Sequence, residues 1–400
     1  YAKAGFDARL SAKGKEYRYH LYQAPIMPPH LAPFWTYYHR SLDIEAMAKA
    51  TSRYGYYRAY TAPYNHHAIY ERIEQLHNVE TMEPDGRLWH KMRFAWRLWG
   101  VTNDLRNGDV ELFHGLTEFI PFGLQQRNIR SVVTIHNMAF LHDRSLTNSI
   151  DNIIKRLYIS QLLHRVDRIV AVSECVKRDI VGQFIIDPDK VDVVYSGVAQ
   201  NFMLVVNDTV KCEVRERYSI PERYILSVGR QLERRNMLSV IKLLPLLDHE
   251  LHYVIVGGAT AYTQRLLRTA KELGVSDRVH ILHDVAEGDM PAIYQGATML
   301  LNLSSYEGYA SSVAEAMASG TPVITVRGSS MEEIAESAAI YVDVANRDEL
   351  VASIRKVLDD GEACAEMIRV GRRLASRFRA EVVAYNLLNC YRRVGVDIRG

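Results

Sequence analysis

The sequence predicts an α/β fold of two doubly wound, Rossmann-like domains facing a cleft. Two observations carry this expectation. Short runs rich in Val and Ile alternate with helix-length segments, as buried parallel strands and their crossover helices do, and the rhythm occurs twice. The chain of 400 residues is also too long for one ordinary core, so two domains of about 150 to 200 residues are the natural division. With 48% hydrophobic and 24% charged residues, the composition is that of a globular protein in water. A formal charge of +2 gives no drive towards nucleic acid. Cys175, Cys212, Cys364 and Cys390 are scattered without metal spacing, which reads as free thiols in a reducing compartment. No apolar run approaches the roughly 18 to 20 residues that span a bilayer, and no signal peptide is read at the start. A cytoplasmic setting is expected.

The first 75 residues hold many of the 24 Tyr. Gly5 to Arg9 reads as the end of a first strand and Glu16 to Gln23, alternating Tyr and Leu with polar residues, as another strand. Pro25, Pro28, Pro29 and Pro33 enforce an extended loop. Leu42 to Ala50 reads as helix and Tyr56 to Tyr60 as strand. From Arg87 to Gly100, Leu88, Met92, Ala95, Trp96 and Trp99 share one helical face. Strands are then expected at Val110–His114, Ser131–His136, Arg168–Ser173 and Val191–Tyr195, with a helix at Ser149–His164. The run from Asn201 to Glu216 shows no strong period and reads as an interdomain linker. The rhythm restarts with strands at Tyr224–Val228, His252–Val256, Val279–Leu282, Thr298–Leu303, Pro322–Val326 and Ile340–Val342. Helices at Tyr262–Leu273 and Arg347–Leu358 fill the gaps, and Glu381–Arg393 is amphipathic. The expected division is a first domain over 1–203 with an insertion near 10–36, a second over 204–379, and a terminal helix over 380–400 that packs on either domain.

Chemistry concentrates where strands of the second domain end. Ser304 to Thr321 reads strand end, loop and helix, with Glu307 in the loop and Glu315 in the helix. Open amides at such a helix start, here at Ala310, Ser311, Ser312 and Val313, favour an anion. Carboxylates beside an anion site suit a ligand carrying both phosphate and hydroxyl groups. After Val228, Gly229 permits a sharp turn, and Arg230 and Arg235 offer guanidinium forks that fit phosphate oxygens. Gly257-Gly258 permits close approach. Taken singly, an Arg-x4-Arg is usually a solvated loop, a Gly-Gly a turn, and His136 a satisfied core histidine.

Together, in this order, these residues resemble the family-4 glycosyltransferases of the GT-B fold. The family pattern is Gly-Arg, then Lys-Asn, then a Glu-x7-Glu motif. The counterparts are Gly229-Arg230, Arg235-Asn236, and EGYASSVAEAMASGTPVI from Glu307 to Ile324. Phe113-His114-Gly115, Thr134 to Asn137, Val170 to Glu174 and Val193 to Val198 also match family segments. The resemblance implies retaining, metal-independent transfer of a hexose from a UDP- or GDP-sugar to a glycan or lipid-linked saccharide, with no cofactor. It implies that Arg230 and Arg235 neutralise the departing diphosphate and that Glu315 receives the ribose hydroxyls. Glu307 and His136 would hold the donor sugar, and Gly229, Gly258 and the amides of Ala310 to Val313 would line the phosphates. A peripheral contact with a membrane, through the aromatic and basic helix from Arg87 to Trp99, is the partner surface weighed beside ordinary packing. Asp187-Pro188-Asp189 imitates a metal motif but reads as a turn.

The sequence also departs from the family. Arg235 replaces the usual Lys, and Gly308 to Ser312 replaces Gly-Phe-Gly-Leu-Pro. No glycine occurs between Gly14 and Gly55, where the family has a glycine-rich loop; Phe34 to Arg40 is the candidate for its place. Either the segment rebuilds the acceptor site, or ordinary catalysis is lost, or a loop and helix are missing after Leu10, since Leu10 to Lys15 is too short for a parallel crossover. Tyr54, Tyr56, Tyr57, Tyr60, Tyr64, His66, His67 and Tyr70 either stack on acceptor sugars or fill a strand edge. The alternative to an enzyme is a non-catalytic GT-B binding or partner subunit.

Overall fold

The computed structural model describes residues 18–22, 56–60, 79–82, 99–105, 110–142 and 150–396. The chain forms two compact units, Tyr1–Gly197 with Ala380–Gly400, and Val198–Arg379. Among the sequence expectations, those for residues 5–9, 25–50, 61–70 and nearly all of the helix from Arg87 lie outside the described residues.

Among the described residues of the first unit, seven strands make one parallel sheet. They are β1 (Arg18–Tyr22), β2 (Tyr56–Tyr60), β3 (Val79–Met82), β4 (Leu112–Gly115), β5 (Arg130–Ile135), β6 (Arg168–Ala171) and β7 (Val191–Val193), in the order β3-β2-β1-β4-β5-β6-β7. β1 is the inner strand from which the sheet is wound both ways, pairing Tyr22 with Tyr60 on one side and with Gly115 on the other. Thus the strand foreseen at Glu16–Gln23, inside the expected insertion, is the first strand among the described residues. Residues 23–55 then separate β1 from β2, ample for a crossover of about a dozen residues or more. Ser131 to Ile135 and Ile169 to Ala171 are buried throughout, as strands covered on both faces must be.

The terminal helix, Ala380–Arg393, belongs to this unit. Val383, Ala384, Leu387, Cys390 and Tyr391 form its buried stripe. Tyr391 Oη shares a 2.7 Å hydrogen bond with His114 Nδ1 in β4, and Arg393 pairs with Asp192 of β7 at 2.5 Å.

The second unit repeats the design with six parallel strands, β8 (Tyr224–Val228), β9 (His252–Val256), β10 (Val279–Leu282), β11 (Met299–Asn302), β12 (Val323–Thr325) and β13 (Ile340–Tyr341). Their order is β10-β9-β8-β11-β12-β13, again wound outwards from the first strand in sequence.

The linker reading of Asn201 to Glu216 is corrected. The unit begins at Val198, and the stretch holds a 3-10 turn (Gln200–Met203) and a helix (Asp208–Arg217) capped by Asn207. Phe202 packs edge-on against Tyr294, and Gln295 ties down both Leu204 O and Val206 N. Val214 is the helix's one buried residue, so its sequence carries almost no apolar period to read. Among the described residues, no helix is long and apolar enough to cross a membrane.

Candidate active site

β9 and β11 flank β8, and the chain leaves β8 towards one neighbour and reaches the other later. The loops after the three strands therefore diverge at a switch point, where a doubly wound sheet opens a crevice. Gly229 follows β8 with φ +133°, and Gly257 follows β9 with φ +149°. A Cβ on Gly229 would lie 2.4 Å from Arg235 Nη1, and one on Gly257 2.2 Å from Gly229 O. Both glycines exist for close approach: the Arg235 guanidinium lies flat against the first, and the two turns touch through the second.

Arg235 Nη1 reaches Glu307 Oε1 at 3.1 Å and Val228 O at 3.2 Å. Ser304 Oγ donates to the same carboxylate oxygen at 2.8 Å. Arg234, which the sequence reading passed over, donates to Tyr306 O at 2.7 Å and stands 3.7 Å from Glu307 Oε1. Two further bonds zip the loops together, one between backbones, Ser305 N to Arg234 O at 2.8 Å, and one from a side-chain amide, Asn236 Nδ2 to Leu303 O at 2.8 Å. Glu307 is thus a buried carboxylate (6% exposed) fixed by a hydroxyl and flanked by two guanidinium groups. Such a carboxylate is oriented before any ligand arrives.

Arg230 differs from Arg235. Its side chain is exposed beside the equally exposed Gly258 and makes no hydrogen bond or ion pair with any described residue. Its loop is nonetheless firm. Gln231 is fully buried, donates to Gly257 O at 3.0 Å, and accepts from Thr263 Oγ1 at 2.5 Å, while Thr260 Oγ1 donates to its carbonyl.

The helix foreseen after the loop runs Ser311–Ser319, with Ala310 at the position before it supplying no side-chain cap and Gly320 closing it at φ 77°. Of the four amides expected to face an anion, two are spent within the chain. Ser311 N donates to Tyr309 O at 2.8 Å and Val313 N to Ala310 O at 3.0 Å, because the tight first turn brings those carbonyls into reach. The amides of Ala310 and Ser312 donate to no described residue. Ser312 Oγ instead accepts from Asn302 Nδ2 at 3.0 Å, which ties the helix to β11. Glu315, 4% exposed, accepts a 2.7 Å bond from Tyr294 Oη. No local pattern announces Tyr294, which lies 21 residues away.

His136 belongs to the first unit, directly after β5, and is buried. Its Nε2 donates to Leu116 O at 2.7 Å. Burial lowers its pKa to about 4, against the raising effect of that bond. His114, between Tyr391 and Thr134, is lowered to about 3 by burial and then by His136. Both rings are neutral at neutral pH.

Among the described residues, no three His, Cys, Asp or Glu side chains gather as a metal site. Asp187 accepts from Asp189 N at the head of a 3-10 turn, as a turn residue does.

Two family models match in succession: Glycosyltransferase Family 4 over residues 56–202 and Glycosyl transferases group 1 over 212–374. The O-antigen chain mannosyltransferase RfbU of Salmonella typhimurium is 27% identical over 61% of this chain and 64% of its own length. A D-inositol 3-phosphate glycosyltransferase of Salinispora tropica is 28% identical over 58% and 52%. The chain therefore spans less than two thirds of the length of these two relatives. O-antigen chain mannosyltransferase B of Escherichia coli is 24% identical over 76% of this chain and 78% of its own. Among solved structures, Anabaena Alr3699/HepE in complex with UDP and glucose superposes with a TM-score of 0.72 at 16% identity, covering 93% of this chain and 98% of that one. WaaG, a glycosyltransferase involved in lipopolysaccharide biosynthesis, gives 0.66 at 14% identity over 92% and 98%. These likenesses establish the GT-B fold.

Proposed function

From a chain that carries two glycosyltransferase domains in succession on a GT-B fold, we propose a retaining, metal-independent transfer of a hexose from a UDP- or GDP-sugar. The acceptor is a glycan or lipid-linked saccharide of surface polysaccharide or glycoconjugate synthesis. The observation that carries this reading is the presence, at the ends of β8 and β11, of an exposed Arg230 bonded to no described residue and of a buried Glu307 pre-oriented by Arg235.

In this reading Arg230 and Arg235 receive the diphosphate. As the bond from the anomeric carbon to the diphosphate breaks, its electron pair passes to the phosphate oxygen, and two guanidinium groups stabilise that charge, Arg235 already held at Glu307 and the exposed Arg230 closing on the ligand. The acceptor oxygen bonds to the anomeric carbon on the face the diphosphate leaves, and its proton passes to the departing oxygen. The open amides of Ala310 and Ser312, with Gly229 and Gly258, line the phosphates. Glu315, pre-aligned by Tyr294, receives the ribose hydroxyls, and Glu307 receives donor-sugar hydroxyls near the anomeric carbon. His136, neutral at neutral pH, keeps in this reading the donor-sugar role that the family resemblance implies. The chain needs no cofactor, the nucleotide sugar being substrate. Its setting is the cytoplasmic face of a membrane, reached by peripheral contact. The names of the O-antigen relatives support a surface-polysaccharide acceptor.

The test is calorimetry of wild type and Arg230→Ala with UDP-glucose and GDP-mannose. Binding of one donor by wild type, lost in Arg230→Ala at unchanged thermal stability, is expected. Failure of wild type to bind either would overturn the reading in favour of a non-catalytic partner subunit. Full-rate donor turnover by Glu307→Ala would remove that residue from the chemistry.

A further inference from the structure

Two loops border His136. One leaves β4 and runs through Leu116, Thr117 and Glu118, supplying the carbonyl that receives the His136 Nε2 proton. The other leaves β5 with His136 itself and continues to Phe140 in the short helix Ala139–His142. The helix Ile150–Arg165 grips both loops from one face, through Asn152, Lys155 and Tyr158, each three residues from the next. Asn152 Nδ2 donates to Phe140 O at 3.0 Å, and Tyr158 Oη donates to Glu118 O at 3.1 Å.

Lys155 touches both loops at once. Its Nζ lies 3.9 Å from Glu118 Oε2 and 4.5 Å from the centre of the Phe140 ring. Lys155 and Glu118 are each 5% exposed. Burial raises the Glu118 pKa and lowers that of Lys155, each opposed by the other's charge. Taking two charges out of water is costly, and replacing a buried pair by apolar residues of similar shape is often neutral or stabilising. The place of this pair, in contact with both loops that border His136, points to placement of those loops.

We infer that Lys155, through Glu118 and Phe140, is a positioning residue that holds the two loops in register and thereby sets the His136 ring and its Nε2–H tautomer. It is not a catalytic residue, since it acts through another. The consequence for turnover rests on the function proposed above, whereas the effect on the ring does not.

The experiment uses the whole chain labelled with nitrogen-15 in histidine, with the His136 resonances identified by their loss in His136→Gln. Wild type is compared with Lys155→Met, Glu118→Gln, and the double variant Glu118→Leu/Lys155→Met. The double variant removes both charges, so it keeps the test valid if a single variant fails to fold. Thermal unfolding and hydrolysis of UDP-glucose and GDP-mannose are followed on the same samples. The double variant is expected to unfold at or above the wild-type temperature. Its His136 nitrogens should nonetheless move towards the average of two tautomers, and its donor hydrolysis should fall by about ten- to 100-fold in kcat with KM for the donor little changed. His136 resonances unchanged in the folded double variant would overturn the inference. A wild type that binds no nucleotide would instead overturn the proposed function alone, because the tautomer shift is read without substrate.

Discussion

Replacing Gly229 with alanine strikes the candidate site at its tightest contact. The new methyl would sit 2.4 to 2.9 Å from three atoms of the Arg235 guanidinium, where ordinary contact begins at 3.4 Å. The fork must therefore withdraw by roughly 1 Å, which stretches the 3.1 Å ion pair with Glu307 Oε1. Loosening this largely buried ion pair costs about 2 kcal/mol, less than removing one partner would. The backbone at φ +133° adds about 1–3 kcal/mol, since an L residue is rarely stable there. The two effects share Arg235 and are not strictly additive, so a total of about 3–5 kcal/mol is expected. Urea unfolding of the second unit measures it, and calorimetry with the donor should show at least a tenfold loss of affinity. The double variant Gly229→Ala/Arg235→Ala removes the clash but keeps the backbone strain, which separates the two contributions. A single variant within about 0.5 kcal/mol of wild type would refute the reasoning.

Three further outcomes follow from the same geometry. Arg278 is buried and donates to the carbonyls of Leu244, Asp248 and Leu251, so Arg278→Ala should cost about 2–4 kcal/mol in urea unfolding while leaving nucleotide affinity unchanged, because it lies before β10, away from the strand ends that bind. Tyr294→Phe deletes the hydroxyl on Glu315 and should lower stability by about 1–3 kcal/mol, with weaker nucleotide binding seen by calorimetry. His114 and His136 have folded pKa values of about 3 and about 4 against an ordinary 6.5, so the unfolded chain takes up protons first as pH falls. Their contribution is fully present above pH 6.5 and is lost as pH falls towards 4, at up to about 1.4 kcal/mol per pH unit for each ring. Denaturation midpoints for the first unit that stay level from pH 7 to 5 would contradict the burial of both rings.

The sequence by itself determined the alternation that makes two doubly wound sheets, because burial on both faces leaves continuous apolar strands that need no partner to be recognised. It also determined Gly229, Arg230, Arg235, Glu307 and Glu315 as a candidate set, since strand end, loop and helix start are neighbours along the chain. Tertiary structure alone decided what each of them touches. Arg234 meets Tyr306 across 72 residues, Tyr294 meets Glu315 across 21, and Lys155 meets Glu118 across the fold of a separate sheet. It likewise decided that residues 18–22 form the inner strand of the first sheet and that the helix from Asp208, with one buried side chain, belongs to the second unit. The physical reason is the same in each case. Periodicity and turn chemistry are written within a few residues, whereas pairing and burial arise only when distant segments are brought to within about 3 Å of each other.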